Sequence, residues 1–475
     1  MRSDRALRFA ADNRARFLAE LEHFLRYPSI SSQPDRRNDA KRCATWLAKH
    51  LKAVGMPRVR VVQTRGNPIV FASRHRGRCY PTVLIYGHYD VLPGEPIQEW
   101  RTPPFEPTLI GNKLFARGAS DDKGQLFIHI KAVESYLATE GSLPVNVKFL
   151  FEGGEEIGSP DLNRFVIRNR KALQADAAVI SDTRMIGPNR PAISYAQRGG
   201  LRANLEIIGS DHDLHSGNFG GTVLNPAQAL CEMIAKMHDD RGRVAIPGFY
   251  TDVRGWSEAE REFMDRNGPS DEEILNDAGV DLEWGERGFT AYERTTIRPA
   301  LTINSLTSGH QGTGGKSIIP ARATAKLSFR LVPNQQPAEV GRLFRDYITK
   351  LTPQQVRSSV RTFAPIAPAI LDRKHPAITA AVTAYQKSFG NKPVFIRSGG
   401  SIPVARTFQE QLGIPVALMG FGLPEDNIHA PNENLDLSNF GKGIETSIWY
   451  LALAANLPQV NPARDSKLHS HHFGH

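Results

Sequence analysis

The amino-acid sequence predicts an α/β fold, in which a mostly parallel sheet covered by helices is interrupted by an inserted, smaller α+β domain. Towards both ends of the chain, short uninterrupted apolar runs alternate with segments of helical periodicity. Such runs are typical of strands that are buried on both faces. In the middle of the chain every second residue of the strand candidates is apolar, which indicates a sheet with one buried face.

The larger domain is predicted from four apolar segments of strand length. These segments are Val83–Tyr86, Val145–Phe151, Ala177–Ile180 and Val416–Met419. A helix with a buried face is predicted between the first two of them, from apolar residues at i, i+4, i+7 and i+11: Leu126, Ile130, Val133 and Leu137. Because strands alternate with helices, we predict a parallel sheet with helices on both faces. We assign residues 1–198 and 365–462 to this discontinuous domain.

The inserted domain is predicted over residues 199–364. Apolar residues alternate along Leu201–Ile207 and along Ala323–Leu331, and a helix is predicted after each strand, near Pro226 and near Pro337. Helices that cover one face of such strands describe a small α+β domain.

The C-terminal segment, residues 463–475, is expected to be a disordered tail. Its histidines are His469, His471, His472 and His475. Four histidines can bind metal, but an exposed tail lacks the surrounding groups that fix ligand geometry. We therefore exclude the tail from the predicted site.

The composition narrows the class of protein. A chain of 475 residues is long enough for two domains, and 40% apolar with 23% charged residues is ordinary for a globular protein. The net charge of +10 is scattered along the chain without a nucleic-acid-binding motif, so we expect no nucleic-acid partner. The three cysteines form no disulfide framework. Without a long apolar segment or a secretory signal, we expect a cytoplasmic protein with no membrane partner.

Each of the four apolar segments is followed by side chains that can bind a metal ion. In chain order they are His88 and Asp90, Glu155 and Glu156, Asp182, and His429. Asp121 lies in a further polar loop, just before the predicted helix. Ligands in open α/β sheets bind outside the carboxyl ends of the strands. We therefore expect these side chains to meet at one edge of the sheet.

The residue types point to two divalent metal ions. Histidine with several carboxylates suits zinc, and manganese or cobalt would also accept such ligands. The acids exceed what one tetrahedral ion needs, which favours two ions about 3.5–4 Å apart, a bridging carboxylate and one acid left as general base. Each piece alone has a plainer interpretation: a hydrogen-bonded His–Asp pair, a helix start rich in Glu, or an Asp N-cap. Their joint occurrence at strand ends favours the metal site.

Together these residues form a known set of motifs. The motifs are Tyr86–Val91 (YGHYDV), Arg117–Gly124 (RGASDDKG), Glu155-Glu156, Ser181-Asp182 and His429. In this combination the sequence resembles the metallopeptidase family of aminoacylase, glutamate carboxypeptidase and succinyl-diaminopimelate desuccinylase, over about residues 10–455. It is most similar to the cytosolic nonspecific, carnosinase-like dipeptidases through Trp100–Phe105, Leu214–Gly217, Phe329–Pro333 and Gly399–Pro403.

The resemblance implies how the predicted ligands are divided between the two ions. His88 and Asp182 would complete one metal site. Glu156 and His429 would complete the other, and Asp121 would bridge the two ions. These assignments match the family's motif position by position.

The resemblance also implies catalytic and substrate-binding residues. Asp90 is similar to the acid that orients His88, and Glu155 is similar to the general base. His215 is similar to a histidine that reaches the active site of the partner subunit, which implies a homodimer formed through the inserted domain. Arg330 is similar to the residue that binds the terminal carboxylate of the substrate.

The motif Gly399–Pro403 both supports the resemblance and departs from it. Gly400 and Ser401 would bind the same end of the substrate as the predicted carboxylate clamp. Ser398, however, stands where carnosinase-like enzymes usually carry Glu, which puts recognition of a free amino end in doubt. The sequence therefore predicts a hydrolase of dipeptides or short peptides. An N-acyl-amino-acid deacylase or desuccinylase, and a non-catalytic binding protein on the same scaffold, are the alternatives.

Overall fold

The computed structural model describes residues 2–400 and 402–459, and it has the α/β class that the sequence predicts. Ser401 and the predicted tail lie outside the described residues. The helices, in chain order, are α1 (Arg2–Asp12), α2 (Arg14–Leu25), α3 (Arg37–Ala53), α4 (Lys123–Glu140), α5 (Leu162–Arg168), α6 (Arg170–Leu173), α7 (Ser216–Phe219), α8 (Pro226–Ala235), α9 (Glu258–Asn267), α10 (Asp271–Ala278), α11 (Ala291–Thr296), α12 (Pro337–Leu351), α13 (Pro376–Phe389), α14 (Pro403–Leu412) and α15 (Leu437–Ala454). The strands are β1 (Arg58–Val62), β2 (Ile69–Arg74), β3 (Thr82–His88), β4 (Thr108–Ile110), β5 (Lys113–Phe115), β6 (Asn146–Glu152), β7 (Ala177–Ile180), β8 (Ala192–Gln197), β9 (Gly199–Ile208), β10 (Leu214–His215), β11 (Ala300–Ser308), β12 (Ile318–Ile319), β13 (Arg322–Leu331), β14 (Arg357–Ile366), β15 (Ala369–Ile370), β16 (Val394–Ser398), β17 (Val416–Met419) and β18 (Asn434–Asp436).

The chain forms two compact units. One takes in the residues up to Tyr195, Leu371–Phe395 and the described residues from Pro403 onward; the other takes in Ala196–Ile370 and Ile396–Ile402. The domain boundaries predicted from the sequence, 1–198 with 365–462 and 199–364, stay a prediction. Among the residues that the structure describes, no helix has the length and apolarity that crossing a membrane requires.

The first unit is built on a sheet with a parallel centre. Its strand order begins β1-β2-β6-β3-β7-β17-β8. The four neighbours β6, β3, β7 and β17 are parallel, while β1, β2 and β8 are antiparallel to the strands beside them. These central strands correspond to the four apolar segments found in the sequence, with β6 beginning one residue later than the segment Val145–Phe151. Their carboxyl ends therefore lie side by side at one edge of the sheet.

Both faces of the central strands are buried. Val83 and Ile85 of β3 belong to a core that also contains residues of α1, α2, α3, α4, α13 and α15. Tyr86 lies in the same strand and packs edge-on against Phe408 of α14, with ring centroids 6.0 Å apart. Burial on both faces explains why these strands are apolar at successive positions rather than at alternate ones.

The second unit has a four-stranded antiparallel sheet in the order β11-β13-β9-β14. One face packs in a core with α8 and α12, through residues such as Leu205, Leu327 and Phe344. Along β9, buried Leu201, Ala203 and Leu205 alternate with exposed Arg202 and Asn204. The alternation seen in the sequence is therefore that of a sheet with one apolar and one polar face.

A buried ammonium group ties three helices of the first unit together. Lys131 on α4 is fully buried, and its Nζ donates to Glu20 of α2, to Glu134 at 2.7 Å and to His50 of α3 at 2.8 Å. Glu20, His50 and Glu134 have their ligand atoms close enough to hold a metal ion. Because the ammonium group already binds all three side chains, we interpret this cluster as structural.

Lys131→Met should lower the free energy of unfolding by about 3 kcal/mol, because it removes the buried cation from two carboxylates that are then left with the half-exposed guanidinium of Arg16. Urea denaturation followed by circular dichroism measures the change. Lys52→Met is the matched control, since Lys52 is exposed on α3, and it should stay within about 0.5 kcal/mol of the wild type. Equal midpoints for the two variants would contradict a structural role for Lys131.

Candidate metal centre

Four of the five predicted ligands follow the carboxyl ends of the four parallel strands, and the fifth, Asp121, lies in the loop before α4. His88 is the last residue of β3, and Glu155 and Glu156 form a single turn just after β6. Asp182 follows β7 by two positions, and His429 lies in the loop after β17. Since these strands are neighbours in the sheet, their following residues meet at one edge. All of these residues belong to the first unit.

One group of ligand atoms surrounds the ring of His88. Its Nε2 lies 2.9 Å from Oδ1 of Asp121 and 3.9 Å from Oδ2 of Asp182. One ligand atom from each of the three side chains falls within 4.8 Å of the others. His88 is fully buried, so its ring is held in place by packing as well as by hydrogen bonds.

A second group of ligand atoms shares Asp121 with the first. Nε2 of His429 lies 2.9 Å from Oδ2 of Asp121 and 3.3 Å from Oε2 of Glu156. The two carboxylate oxygens of Asp121 thus face different histidines, which is the arrangement a bridging carboxylate needs. His429 has a positive φ of 68° and a half-exposed side chain. It reaches the group from an otherwise disfavoured backbone conformation.

Asp90 connects the end of β3 with the turn after β6. Its carboxylate oxygens accept hydrogen bonds from the backbone N–H groups of Glu155 and Glu156, each at 3.1 Å. Nδ1 of His88 lies 3.1 Å from the backbone oxygen of Asp90 and 3.5 Å from Oδ1 of its carboxylate. Asp90 is fully buried. It therefore fixes both the turn of Glu155 and Glu156 and the orientation of the His88 ring through Nδ1.

The site concentrates negative charge in a buried place. Burial, together with neighbouring carboxylates, raises the pKa of Glu155 and of Asp182 well above their usual values. Burial alone would lower the pKa of His88, but hydrogen bonds with Asp121 and Asp90 outweigh it and raise that pKa well above its usual value. Hydrogen bonds with Asp121 and Glu156 raise the pKa of His429 to about 10. The carboxylates therefore attract positive charge strongly at this point.

The residues fit a pair of divalent cations. Two imidazoles and three carboxylates form two sets of three ligands with one member in common. Bound cations would relieve the repulsion between carboxylates that burial makes costly. The donor set is the one that zinc, manganese and cobalt accept.

His215, predicted as catalytic, belongs to the second unit. It ends β10 and is exposed, and its Nδ1 accepts a hydrogen bond from the N–H of Gly217 at 3.1 Å. In a neutral ring with Nδ1 as acceptor, the proton lies on Nε2. His215 therefore presents an N–H donor.

The predicted carboxylate-binding residues also belong to the second unit. Arg330 lies on β13, where burial and the charge of Arg202 lower its pKa. Burial and the charge of Arg330 lower the pKa of the neighbouring Arg198 to about 9, and the Arg198 side chain donates to the backbone oxygen of Gly399 at 3.2 Å. The N–H of Gly400 donates to Oγ of Ser398 at 3.2 Å. The guanidinium of Arg198 therefore places a positive charge beside Gly399.

Two acids near the ligands were not among the predicted site residues. Glu433 and Asp426 are buried, and both bind the loop that carries Asp121. Asp426 stands in the same short motif as His429, whereas Glu433 is a single acid in a polar segment. Neither acid lies in a periodic sequence pattern, so the sequence gives no sign that it contacts residues more than 300 positions away.

Comparison with known proteins identifies the family. Residues 84–452 match the peptidase family M20/M25/M40. The chain belongs to that family. The peptidase is 30% identical over 455 residues to the Cys-Gly metallodipeptidase DUG1 of Candida albicans, covering 92% of this chain and 94% of that protein.

Solved structures of the family are similar to this peptidase over most of its length. Human carnosine dipeptidase 1 matches with a TM-score of 0.86 and 29% identity, covering 96% of this chain and 99% of that one. The metallo-carboxypeptidase Sso-CP2 of Sulfolobus solfataricus matches with a TM-score of 0.84 and 33% identity, covering 92% and 99%. These matches confirm the resemblance and the fold class predicted from the sequence. The protein is a metallopeptidase.

Proposed function

We propose that this peptidase uses two divalent metal ions to cleave dipeptides or short peptides that have a free C-terminal carboxylate. The observation that carries the proposal is the pair of ligand groups sharing Asp121, with the glutamate turn beside them. Similar proteins named as dipeptidases support the substrate class. We further propose that the protein is cytoplasmic, as the sequence suggests.

Five side chains are proposed to hold the ions. His88 and Asp182 would bind one ion. Glu156 and His429 would bind the other, and Asp121 would bridge them. When bound, the ions would lower the pKa of a shared water toward about 7 and polarise the scissile carbonyl. We propose zinc as the native metal, because two imidazoles and carboxylates suit it, with manganese or cobalt as alternatives.

Glu155 is proposed as the general base. It is adjacent to the ligand Glu156 in a turn whose backbone is held by Asp90. Adjacent side chains point in different directions, so one glutamate can bind metal while the other faces the water. Glu155 would take the proton of the attacking water and return it to the leaving amine.

His215 is proposed to stabilise the negative charge that develops on the carbonyl oxygen. Its Nδ1 is occupied as an acceptor, which leaves Nε2–H as a donor for an oxyanion. We propose that it acts in the site of the partner subunit of a homodimer, formed through the inserted domain.

The substrate's C-terminal carboxylate is proposed to bind Arg330, where a guanidinium can donate two parallel hydrogen bonds. Gly400 and Ser401 would contact the same end of the substrate. Ser398 supports the second candidate, an N-acyl-amino-acid deacylase or desuccinylase, because no carboxylate stands at that position to pair with a free amine.

A substrate panel distinguishes the candidates. The purified protein is stripped of metal, reloaded with zinc, manganese or cobalt, and assayed with Ala-Gly-type dipeptides beside N-acetyl and N-succinyl amino acids. We expect hydrolysis of the dipeptides and no activity in the stripped protein. Preference for the N-acyl substrates would favour the deacylase, and a metal-replete protein inactive on all of them would contradict both proposed substrate classes.

Glu155→Gln should lower kcat by at least about 10²–10⁴-fold, because it removes the group that accepts the water's proton. Its metal content should equal that of the wild type, since Glu155 is not a proposed ligand. Elemental analysis beside steady-state kinetics measures both quantities. Loss of metal together with activity would instead make Glu155 a ligand.

His215→Ala should lower kcat by about 10²–10³-fold without changing metal content, because one oxyanion donor is lost. His212→Ala is the matched control, since His212 is an exposed histidine three positions away and should keep wild-type kinetics. Wild-type turnover in His215→Ala would remove this residue from the mechanism.

The same variants test whether His215 acts across a dimer. A mixture of His215→Ala and Glu155→Gln subunits that exchange partners should regain activity, because one site in each mixed dimer has both residues. If His215 acts within its own subunit, every site in the mixture lacks one residue and no activity returns.

A further inference from the structure

The carboxylate of Glu433 is enclosed by the loop that carries Asp121. Oε2 accepts hydrogen bonds from the guanidinium of Arg117 and the N–H of Gly118, each at 2.9 Å. Oε1 accepts from the N–H groups of Ser120 and Asp121, each at 3.0 Å. Glu433 is fully buried and Arg117 is nearly so. Each carboxylate oxygen therefore has two donors, and a single side chain fixes four polar groups of the loop.

Backbone pairing brings Glu433 to this loop in a fixed register. Strand β18 pairs antiparallel with β5, so that Asn434 lies opposite Phe115. The N–H of Ala116 continues the pairing by donating to the backbone oxygen of Glu433 at 3.1 Å. The loop leaves β5 immediately afterwards and turns around the Glu433 side chain.

A second buried acid binds the same loop from the other side of His429. Oδ2 of Asp426 accepts from Oγ of Ser120 at 2.7 Å and from the N–H of Leu423 at 2.8 Å. Asp426 precedes His429 by three positions, and Glu433 follows it by four. The segment carrying one proposed ligand is thus attached on both sides to the loop carrying the proposed bridging ligand.

We propose that Glu433 is a positioning residue that sets the separation between Asp121 and His429 and thereby the metal affinity of the site. This inference rests on the metal centre proposed above. Two of the three N–H groups that Glu433 binds belong to Asp121 itself and to its neighbour Ser120, so a change in Glu433 moves the shared ligand directly. Displacement of the Asp121 carboxylate would weaken the binding of both ions, since each ion would be held by one oxygen of that carboxylate.

Glu433→Gln tests the proposal with little change in volume. The amide turns one acceptor into an NH₂ group that faces two donors, and it leaves Arg117 buried without its counter-charge. Stripped protein is titrated with zinc against a competing chelating dye, and a cobalt-loaded sample gives the visible absorption spectrum. We expect zinc affinity to fall about 10–100-fold, as is usual when a partner of a metal ligand is lost. The cobalt spectrum should change as well.

Glu286→Gln is the matched control. Glu286 forms a similar buried pair with Arg298, at 2.7 and 2.8 Å, in the second unit. It should lose thermal stability while it keeps wild-type zinc affinity and the wild-type cobalt spectrum. Wild-type affinity and spectrum in Glu433→Gln would overturn the proposal, whatever its thermal stability.

Two further results remain decisive. If Glu433→Gln gives no folded protein, Glu433→Asp is measured instead; its carboxylate is one methylene too short to reach both pairs of donors, so zinc affinity should fall, and unchanged affinity would overturn the proposal. If the wild-type protein itself binds fewer than two zinc ions, the proposed function fails rather than the role of Glu433.

Discussion

The structure depends on one electrostatic constraint: several carboxylates converge on a buried edge where their charges repel. Asp121 has both oxygens engaged by imidazoles, at 2.9 Å each, and further acids lie within a few ångströms. In a medium of low dielectric such crowding is costly unless cations balance it. Parallel strands create the crowding, because they deliver four chain segments to the same edge. The backbone must then hold the acids in place, which is what Asp90 does for the glutamate turn.

The sequence predicts those parts of the site that leave a local trace. His88 and Asp182 follow apolar segments of strand length, so the parallel sheet brings them together once the strands are recognised. Glu433 leaves no such trace, because its partner Arg117 is 316 positions away and only the folded chain shows the contact. The placement of residues 396–402 in the second unit is equally invisible, since it is a matter of tertiary contacts.

The proposed metal ligands and the proposed substrate-binding residues belong to different units. The ligand groups that meet the requirements of metal-assisted hydrolysis all lie in the first unit. In the second unit, burial lowers the pKa values of Arg198 and Arg330; the charge of Arg330 lowers that of Arg198 further, and the charge of Arg202 lowers that of Arg330. Neighbouring guanidinium groups favour anionic ligands. On the proposed function, residues such as Ser398 would change the substrate while the ligand set stays the same.

The first unit contains two clusters of acids and histidine that differ in one decisive respect. Glu20, His50 and Glu134 have ligand-like spacing, but the ammonium group of Lys131 supplies their positive charge from within the chain. In the cluster around Asp121, two imidazoles face at least three carboxylates. Spacing of donor atoms is therefore not sufficient to identify a metal centre. The negative charge of these carboxylates, together with the ligand groups that share Asp121, supports the proposal that added cations bind there.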